Sequence, residues 1–388
     1  LTPPYNHTFL IFATCTIFSP MNSSLLPYYS AHFNSPPEIL LRAPGRINLI
    51  GEHTDYNLGR VFPAAIDKCL YFAMSRNEQA GQVRFHAIDI PEETTFSAGS
   101  TSVSETASWA KYLQAIVVEL NLRGYPVRGI DGVFGGDIPL GAGLSSSAAL
   151  CCGFIYGISQ LQNMPIPKRE IALIAQAAEH RIGLNCGLMD QYAVLFGKKD
   201  TAICLDCKSL EFEHFPLNTG AYSLVLLNSN IKHELAAGSG YNDRRHSCEN
   251  VVAAIQQKHP EVQSLRDVSV SMLETFRERL DPVDHRRAAY ILRENERVLQ
   301  TRTALQNGDM QQVGQILYDA HEGMRTEYEI TVPEIDLLVE LAHAEPGVSG
   351  ARMVGGGFGG CTLNLIRTSE KESILTRMMK KKKKKTGI

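Results

Sequence analysis

A glycine-rich segment that runs straight into a long apolar stretch is the strongest constraint on the fold of this 388-residue chain. It reads Gly136-Asp-Ile-Pro-Leu-Gly-Ala-Gly-Leu-Ser-Ser-Ser-Ala-Ala-Leu150, and the residues after it predict a helix over 146–161. Free backbone N–H groups at a helix start, together with the helix dipole, attract phosphate. The segment lacks the lysine of a G-x-x-x-x-G-K-[ST] loop. It therefore predicts either a different kind of phosphate loop or a plain glycine loop capped by serine.

Helix and strand patterns follow each other without regular alternation, which predicts an α+β fold. We expect helices over 105–123, 146–161, 168–181, 241–258, 284–307, 309–326 and 332–343, the last with a capping box formed by Thr331 and Glu334. We expect strands over 61–75, 201–207, 222–228 and 361–366, and a strand, turn and strand over 39–50. The most polar gap, near 208–220, predicts an N-terminal domain over 22–215 and a C-terminal domain over 216–388.

The net charge of −3 hides a difference between the body of the chain and its end. Lys380–Lys385 is an unbroken run of lysines, and without it the chain has 32 basic and 41 acidic residues. An acidic body argues against a nucleic-acid-binding surface, and we expect the lysine run to be solvated and disordered. Residues 1–21 contain no charged side chain, and we interpret them as a non-native or disordered leader.

The nine cysteines are scattered and odd in number, which argues against a disulfide framework. Cys204 and Cys207 form a single C-x-x-C inside an apolar run, so we interpret them as ordinary strand residues. No apolar run reaches the length of a membrane span. Together these features favour a cytoplasmic protein without a membrane partner.

Three further segments are candidates for chemistry. Gly45-Arg-Ile-Asn-Leu-Ile-Gly-Glu-His-Thr-Asp-Tyr-Asn57 carries a dense set of hydrogen-bonding side chains, which suits a polyhydroxyl ligand, although a solvated surface turn would explain it too. Asn185-Cys-Gly-Leu-Met-Asp-Gln191 holds one carboxylate, which could accept a proton if an arginine lies near it, or could be a helix cap. Gly355-Gly-Gly-Phe-Gly-Gly360 is a tight turn or a ligand loop.

Together these segments resemble the galactokinases of the GHMP small-molecule kinase family, in order and spacing, from about residue 25 to about residue 370. Residues 46–57 resemble their substrate signature, and residues 139–149 resemble the ATP loop. Residues 185–191 resemble the segment that bears the catalytic aspartate, and residues 352–361 resemble the third GHMP motif. Further similarity lies in residues 239–245 and 330–336.

The resemblance implies transfer of the ATP γ-phosphate to the C1 hydroxyl of α-D-galactose, with ATP and Mg²⁺ as cofactors. Asp190 would be the base and Arg46 would stabilise both Asp190 and the transferred phosphoryl group. The sugar would be held by Glu52, His53, Thr54, Asp55, Gly187 and Tyr241. The phosphates would be wrapped by Gly141, Ala142, Gly143, Leu144, Ser145, Ser146 and Ser147. Ser147 and Glu179 would bind the metal ion.

The resemblance also implies a two-domain GHMP kinase fold. Its N-terminal domain would be like a ribosomal-protein domain and its C-terminal domain ferredoxin-like, with the active site in the cleft between them. We expect a monomer. Relatives continue into one more strand, so we expect an unpaired sheet edge and a truncated C-terminal domain. Two alternatives stay open, a GHMP kinase for another sugar such as N-acetylgalactosamine and a galactose- and ATP-binding sensor without catalysis.

Overall fold

The computed structural model describes residues 8–11, 22–77, 81–90, 92–104, 108–231 and 239–386. The chain divides into two compact units, and each is discontinuous in sequence. The first unit takes residues 1–46, 65–138 and 145–199, and the second takes 47–64, 139–144 and 200–388. The domain ranges 22–215 and 216–388 stay predictions, and most of the leader expected over 1–21 lies outside the described residues.

The strands and helices are numbered in chain order. The strands are β1 (Thr8–Ile11), β2 (Ile39–Asn48), β3 (Arg60–Val61), β4 (Pro63–Arg76), β5 (Gln82–Ala87), β6 (Glu92–Ser97), β7 (Ile130–Gly136), β8 (Thr201–Asp206), β9 (Glu211–Pro216), β10 (Tyr222–Asn228), β11 (Val348–Met353) and β12 (Cys361–Arg367). The helices are α1 (Asn22–Phe33), α2 (Ser108–Leu122), α3 (Ser146–Leu161), α4 (Lys168–Arg181), α5 (Met189–Phe196), α6 (Ser239–Gln256), α7 (Val270–Thr275), α8 (Pro282–Gln306), α9 (Met310–Gly323), α10 (Pro333–His343) and α11 (Lys371–Thr386).

The first unit is a mixed sheet with helices packed on it, in the strand order β1-β2-β4-β7-β5-β6. β4 and β7 are antiparallel, whereas β5 and β7 are parallel. Buried side chains of α1, among them Leu25 and Tyr29, pack on Leu40, Tyr71 and Val133 of the sheet. Helices α2, α3, α4 and α5 contact one another. The helices predicted over 146–161 and 168–181 are confirmed at both ends.

The second unit has an antiparallel sheet in the order β10-β12-β11, with helices on both faces. Ile366 packs with residues of α10 and α11, while its neighbour Leu365 packs with residues of α8 and α9. Adjacent residues of a strand point to opposite faces, so the two helix pairs cover opposite sides of this sheet. A separate sheet in this unit has the order β3-β8-β9.

Two local predictions are wrong. The strand–turn–strand expected over 39–50 is one continuous strand, β2, in spite of Pro44 and Gly45. In the described residues β1 pairs only with residues 39–42, so on that side the missing N–H of Pro44 interrupts no ladder. The capping box at Thr331 is also wrong, because the N-cap of α10 is Val332, without a side-chain hydrogen bond, and Pro333 opens the helix.

The prediction that the lysine run is disordered is wrong as well, since α11 continues through it to Thr386. Ile374 and Met378 anchor this helix in the apolar core. Lys381 Nζ lies 2.7 Å from Glu345 Oε1, and the buried Lys382 donates a hydrogen bond to the carbonyl of Ser229. No helix in the described part of the chain is long and apolar enough to cross a bilayer.

Candidate functional site

In the first unit, Arg46 near the end of β2 and Asp190 in the first turn of α5 form a bidentate ion pair. Nε of Arg46 lies 2.8 Å from Oδ1 of Asp190, and Nη2 lies 2.9 Å from Oδ2. Arg46 is buried, whereas 27% of the Asp190 side chain is exposed. Two parallel charge-assisted hydrogen bonds fix the plane of the carboxylate as well as its position. Gly187, the other predicted residue of this segment, is buried in the loop before α5.

Ser145 joins the start of α3 to this ion pair. Its hydroxyl donates a hydrogen bond to Oδ2 of Asp190. Ser145 stands at the N-cap of α3 but does not cap the helix with its side chain, and its φ of 61° is left-handed. An L-residue rarely adopts this conformation without a compensating contact. The alternative of a plain serine cap is therefore wrong, because the hydroxyl is turned away from the helix and toward the carboxylate.

Glu179, near the end of α4, is a fully buried carboxylate held by neutral donors. Gln191 Nε2 lies 2.5 Å from its Oε2 and Cys186 Sγ lies 3.4 Å from the same oxygen, while Ser147 donates a further hydrogen bond. Burial raises the pKa of Glu179 to about 7, and the nearby negative charge of Asp190 acts in the same direction. The carboxylate therefore lies in an environment that disfavours its charge.

In the second unit, the signature loop (residues 51–60) is fixed by a chain of side-chain hydrogen bonds. His53 Nε2 lies 3.2 Å from the carbonyl oxygen of Gly356, so this nitrogen carries the proton. In the neutral imidazole His53 Nδ1 then accepts from the Tyr56 hydroxyl, at 2.7 Å, and Tyr56 in turn lies 2.8 Å from the Tyr328 hydroxyl. Burial raises the pKa of both tyrosines, so both stay neutral. The ring of Tyr241 lies 4.9 Å from that of His53.

The other predicted sugar-binding residues of this loop are buried too. The hydroxyl of Thr54 lies 2.9 Å from the carbonyl oxygen of Gly51 and 2.6 Å from that of Arg60, so it closes the loop on itself. Asp55 begins a short 3-10 turn and is 8% exposed. Glu52 is 1% exposed and forms an ion pair with the buried Arg352, whose Nη2 lies 2.5 Å from Glu52 Oε2.

The predicted phosphate-binding residues fall in both units. Gly141, Ala142, Gly143 and Leu144 belong to the second unit, where they precede α3. Ser145, Ser146 and Ser147 belong to the first unit, as do Arg46, Glu179, Gly187 and Asp190. The predicted sugar-binding residues Glu52, His53, Thr54, Asp55 and Tyr241 lie in the second unit.

Two residues of α8 that sequence reasoning missed hold the ends of the signature loop. Glu294 Oε1 accepts a hydrogen bond of 2.9 Å from the backbone N–H of Gly51, and Asn295 Oδ1 accepts one of 2.8 Å from that of Arg60. Glu294 is completely buried. A charged residue on the buried face of an amphipathic helix was the available signal, because such a residue needs a partner.

Comparison with known proteins connects both units to one family. The galactokinase galactose-binding signature matches residues 28–76, the GHMP kinase N-terminal domain matches 110–198, and the GHMP kinase C-terminal model matches 301–385. A galactokinase of Roseiflexus sp. is 40% identical over 89% of this chain and 88% of its own length. That of Thermotoga maritima is 38% identical over 90% of this chain and 95% of its own.

The chain belongs to the galactokinase family. The crystal structure of Lactococcus lactis galactokinase complexed with galactose is similar with a TM-score of 0.89, at 30% identity over 95% of this chain and 96% of that one. A mevalonate kinase of Methanococcus jannaschii, at 16% identity and a TM-score of 0.62, shares the fold. The predicted two-domain GHMP kinase fold is confirmed, and as a member of this family the chain is an ATP-dependent sugar kinase.

Proposed function

We propose that this kinase transfers the γ-phosphate of ATP to the C1 hydroxyl of α-D-galactose, releasing galactose 1-phosphate and ADP. The observation that carries the proposal is Asp190, held in a fixed plane by Arg46 and by Ser145 at the start of α3. A carboxylate fixed beside a helix start is suited to receive a proton next to a bound phosphate.

Asp190 is the base in this proposal. The C1 oxygen attacks the γ-phosphorus, its proton passes to Asp190, and the bond from phosphorus to the β,γ-bridging oxygen breaks with its electron pair left on ADP. Arg46 stabilises the carboxylate before transfer and the negative charge of the phosphoryl group during it. Most of the rate enhancement in such reactions comes from positioning and charge stabilisation, which the bidentate pair of Arg46 and Asp190 supplies.

The phosphates of ATP bind to residues 141–147 in this proposal. The first turn of α3 offers backbone N–H groups and the positive end of its dipole, and Gly141 and Gly143 let the phosphates approach the main chain. Ser146 and Ser147 are half-buried and add hydroxyl groups at the same turn.

Ser147 and Glu179 fit a Mg²⁺ ion, which prefers hydroxyl and carboxylate oxygens and takes its other ligands from phosphate and water. The hydrogen-bond partners of Glu179 are all neutral donors, so a cation would compensate the buried charge. When bound, the ion would neutralise charge on the phosphates. Gln191 and Cys186 would hold the carboxylate in orientation.

The residues that recognise the sugar in this proposal are Gly187, Glu52, His53, Thr54, Asp55 and Tyr241. Thr54 and Glu52 also shape the signature loop, through hydrogen bonds within the protein. We further propose a monomer in the cytoplasm that binds neither nucleic acid nor membrane. In the described part of the chain the cysteines form no disulfide and are mostly buried, which suits a reducing compartment.

An ADP-release assay with galactose, N-acetylgalactosamine, glucose and mevalonate in parallel tests the substrate. Turnover of galactose alone supports the proposal, and preferred turnover of N-acetylgalactosamine would replace it with the alternative sugar. Binding of galactose and ATP without turnover would indicate a sensor.

Asp190→Asn tests the base. We expect turnover to fall about 10²–10⁴-fold while galactose binding, measured by calorimetry, stays close to wild type. The matched control is Asp319→Asn, at an exposed position on α9, which should leave turnover unchanged. Near-normal turnover in Asp190→Asn would remove Asp190 from the base role.

A further inference from the structure

The buried ion pair between Glu52 and Arg352 does more than neutralise charge. Arg352, in β11, is 0% exposed, and its guanidinium also donates to the main-chain carbonyls of Asn48, at 2.6 Å, and Leu49, at 2.9 Å. Arg352 therefore binds the backbone just before the signature loop and the carboxylate inside that loop at the same time. A planar guanidinium can do this because its donors point in fixed directions.

Glu52 accepts further hydrogen bonds from within the protein. Its Oε2 also accepts a hydrogen bond of 2.7 Å from Nδ2 of Asn48, and its Oε1 accepts one of 3.0 Å from the backbone N–H of Gly355. Both carboxylate oxygens thus have protein donors, and the side chain is 1% exposed. Glu52 joins the signature loop to the third-motif loop (residues 354–360).

The third-motif loop in turn lies directly against the glycines that precede α3. A Cβ at Gly355, where φ is +88°, would lie 2.8 Å from the carbonyl oxygen of Gly143. A Cβ at Gly360 would lie 2.9 Å from the carbonyl oxygen of Ala142. Only glycine allows this approach of one backbone to the other, so residues 142–143 pack directly against residues 354–360, and a shift of one loop changes the support of the other.

We propose that Glu52 and Arg352 are positioning residues for the nucleotide, acting through Gly355 on Gly143. The resemblance to galactokinases implies that Glu52 holds the sugar, whereas these contacts give it a place in the support of the phosphate loop. The inference rests on the proposed binding of ATP at residues 141–147. It predicts that a residue of the sugar signature controls the affinity for ATP even when no sugar is present.

The test measures binding of a non-hydrolysable ATP analogue with Mg²⁺, without galactose, to folded Glu52→Gln and Arg352→Lys. Glu52→Gln removes the charge that Arg352 needs, and Arg352→Lys keeps the charge but cannot reach two carbonyls and a carboxylate together. We expect each to weaken nucleotide binding about tenfold, with a matching rise in the KM for ATP. Glu322→Gln, which breaks the exposed pair with Arg325, is the matched control and should change neither.

A purely structural role would lower the melting temperature and leave nucleotide affinity unchanged well below it, which would overturn the inference. Weaker galactose binding with normal nucleotide binding would also overturn the inference, because Glu52 would then act on the sugar alone. If neither variant folds, Asn48→Ser removes one donor to Glu52, and an unchanged nucleotide affinity there also counts against the proposal. Failure of the wild type to phosphorylate galactose would contradict the proposed function, but the nucleotide measurement would still decide the inference.

Discussion

At the scale of single residues, Ser145 links two features that the sequence presents separately. Its backbone opens α3 in a left-handed conformation, and its hydroxyl contacts Asp190 45 positions further along the chain. The backbone strain is thus compensated by a contact to the proposed base, as is common where strain and function coincide.

Ser145→Ala and Ser145→Gly separate the two contributions. Both remove the hydroxyl, but glycine adopts a positive φ without cost whereas alanine does not. We expect Ser145→Gly to be more stable than Ser145→Ala by about 1 kcal/mol in urea unfolding. We also expect both to lose turnover to a similar degree, because Asp190 loses the same donor in each. Equal stabilities would show that the left-handed backbone is not maintained in solution.

A site residue can be predicted from the sequence when its segment is recognisable by itself, and not when it depends on partners far away along the chain. Asp190, Arg46 and the serines stand in recognisable segments, and the structure brings Arg46 and Asp190 into contact, as the proposed chemistry requires. The partners of the signature loop could not be predicted. Arg352 lies 300 positions from Glu52, and Glu294 lies 243 positions from Gly51, and no local pattern specifies such pairs.

At the scale of elements, α8 is a support for the signature loop. Glu294→Ala would leave the N–H of Gly51 and the guanidinium of Arg297, 3.0 Å from Glu294 Oε2, without their acceptor. Since unsatisfied buried groups are costly, we expect a loss of about 3 kcal/mol in chemical unfolding. We also expect a higher KM for galactose. Glu296→Ala, two positions further along α8 and exposed, should change neither, and equal losses from both would contradict the support role.

The elements that the sequence predicts well are those whose secondary structure is determined by their own residues. Helices α3 and α4 have strong apolar or amphipathic patterns, and both ends are correct. The helix over the lysine run cannot be predicted from its own residues, because it depends on distant contacts. The apolar anchors Ile374 and Met378 precede it, and Glu345 compensates Lys381 from another part of the unit. Tertiary packing of this kind overrides a weak local preference.

At the scale of the whole molecule, the buried carboxylate of Glu179 connects the proposed metal site to stability. A carboxylate in an unfolded chain titrates near 4.5, whereas burial raises the pKa of Glu179 in the folded protein to about 7. The folded state therefore binds this proton more tightly than the unfolded state. The contribution of Glu179 to the free energy of unfolding is therefore largest below pH 4.5. It falls by about 3 kcal/mol in total as the pH rises through 7.

Glu179→Gln removes this titration while keeping an acceptor for its neighbours. In buffers without divalent cations, we expect the free energy of unfolding of the wild type, minus that of the variant, to fall by about 3 kcal/mol between pH 4.5 and pH 8. Taking the difference cancels the other titrating groups. Glu372→Gln, at an exposed position of α11, should run parallel to the wild type.

Mg²⁺ with a non-hydrolysable ATP analogue should flatten the pH dependence of the wild type and leave that of Glu179→Gln unaltered. The physical reason is that a bound cation favours the charged carboxylate and so lowers its pKa in the folded state. The measurement is the same urea titration repeated at saturating ligand. A wild-type curve that keeps its slope when the ligand is bound would place the metal ion away from Glu179, because a cation at that carboxylate has to change the pH at which it ionises.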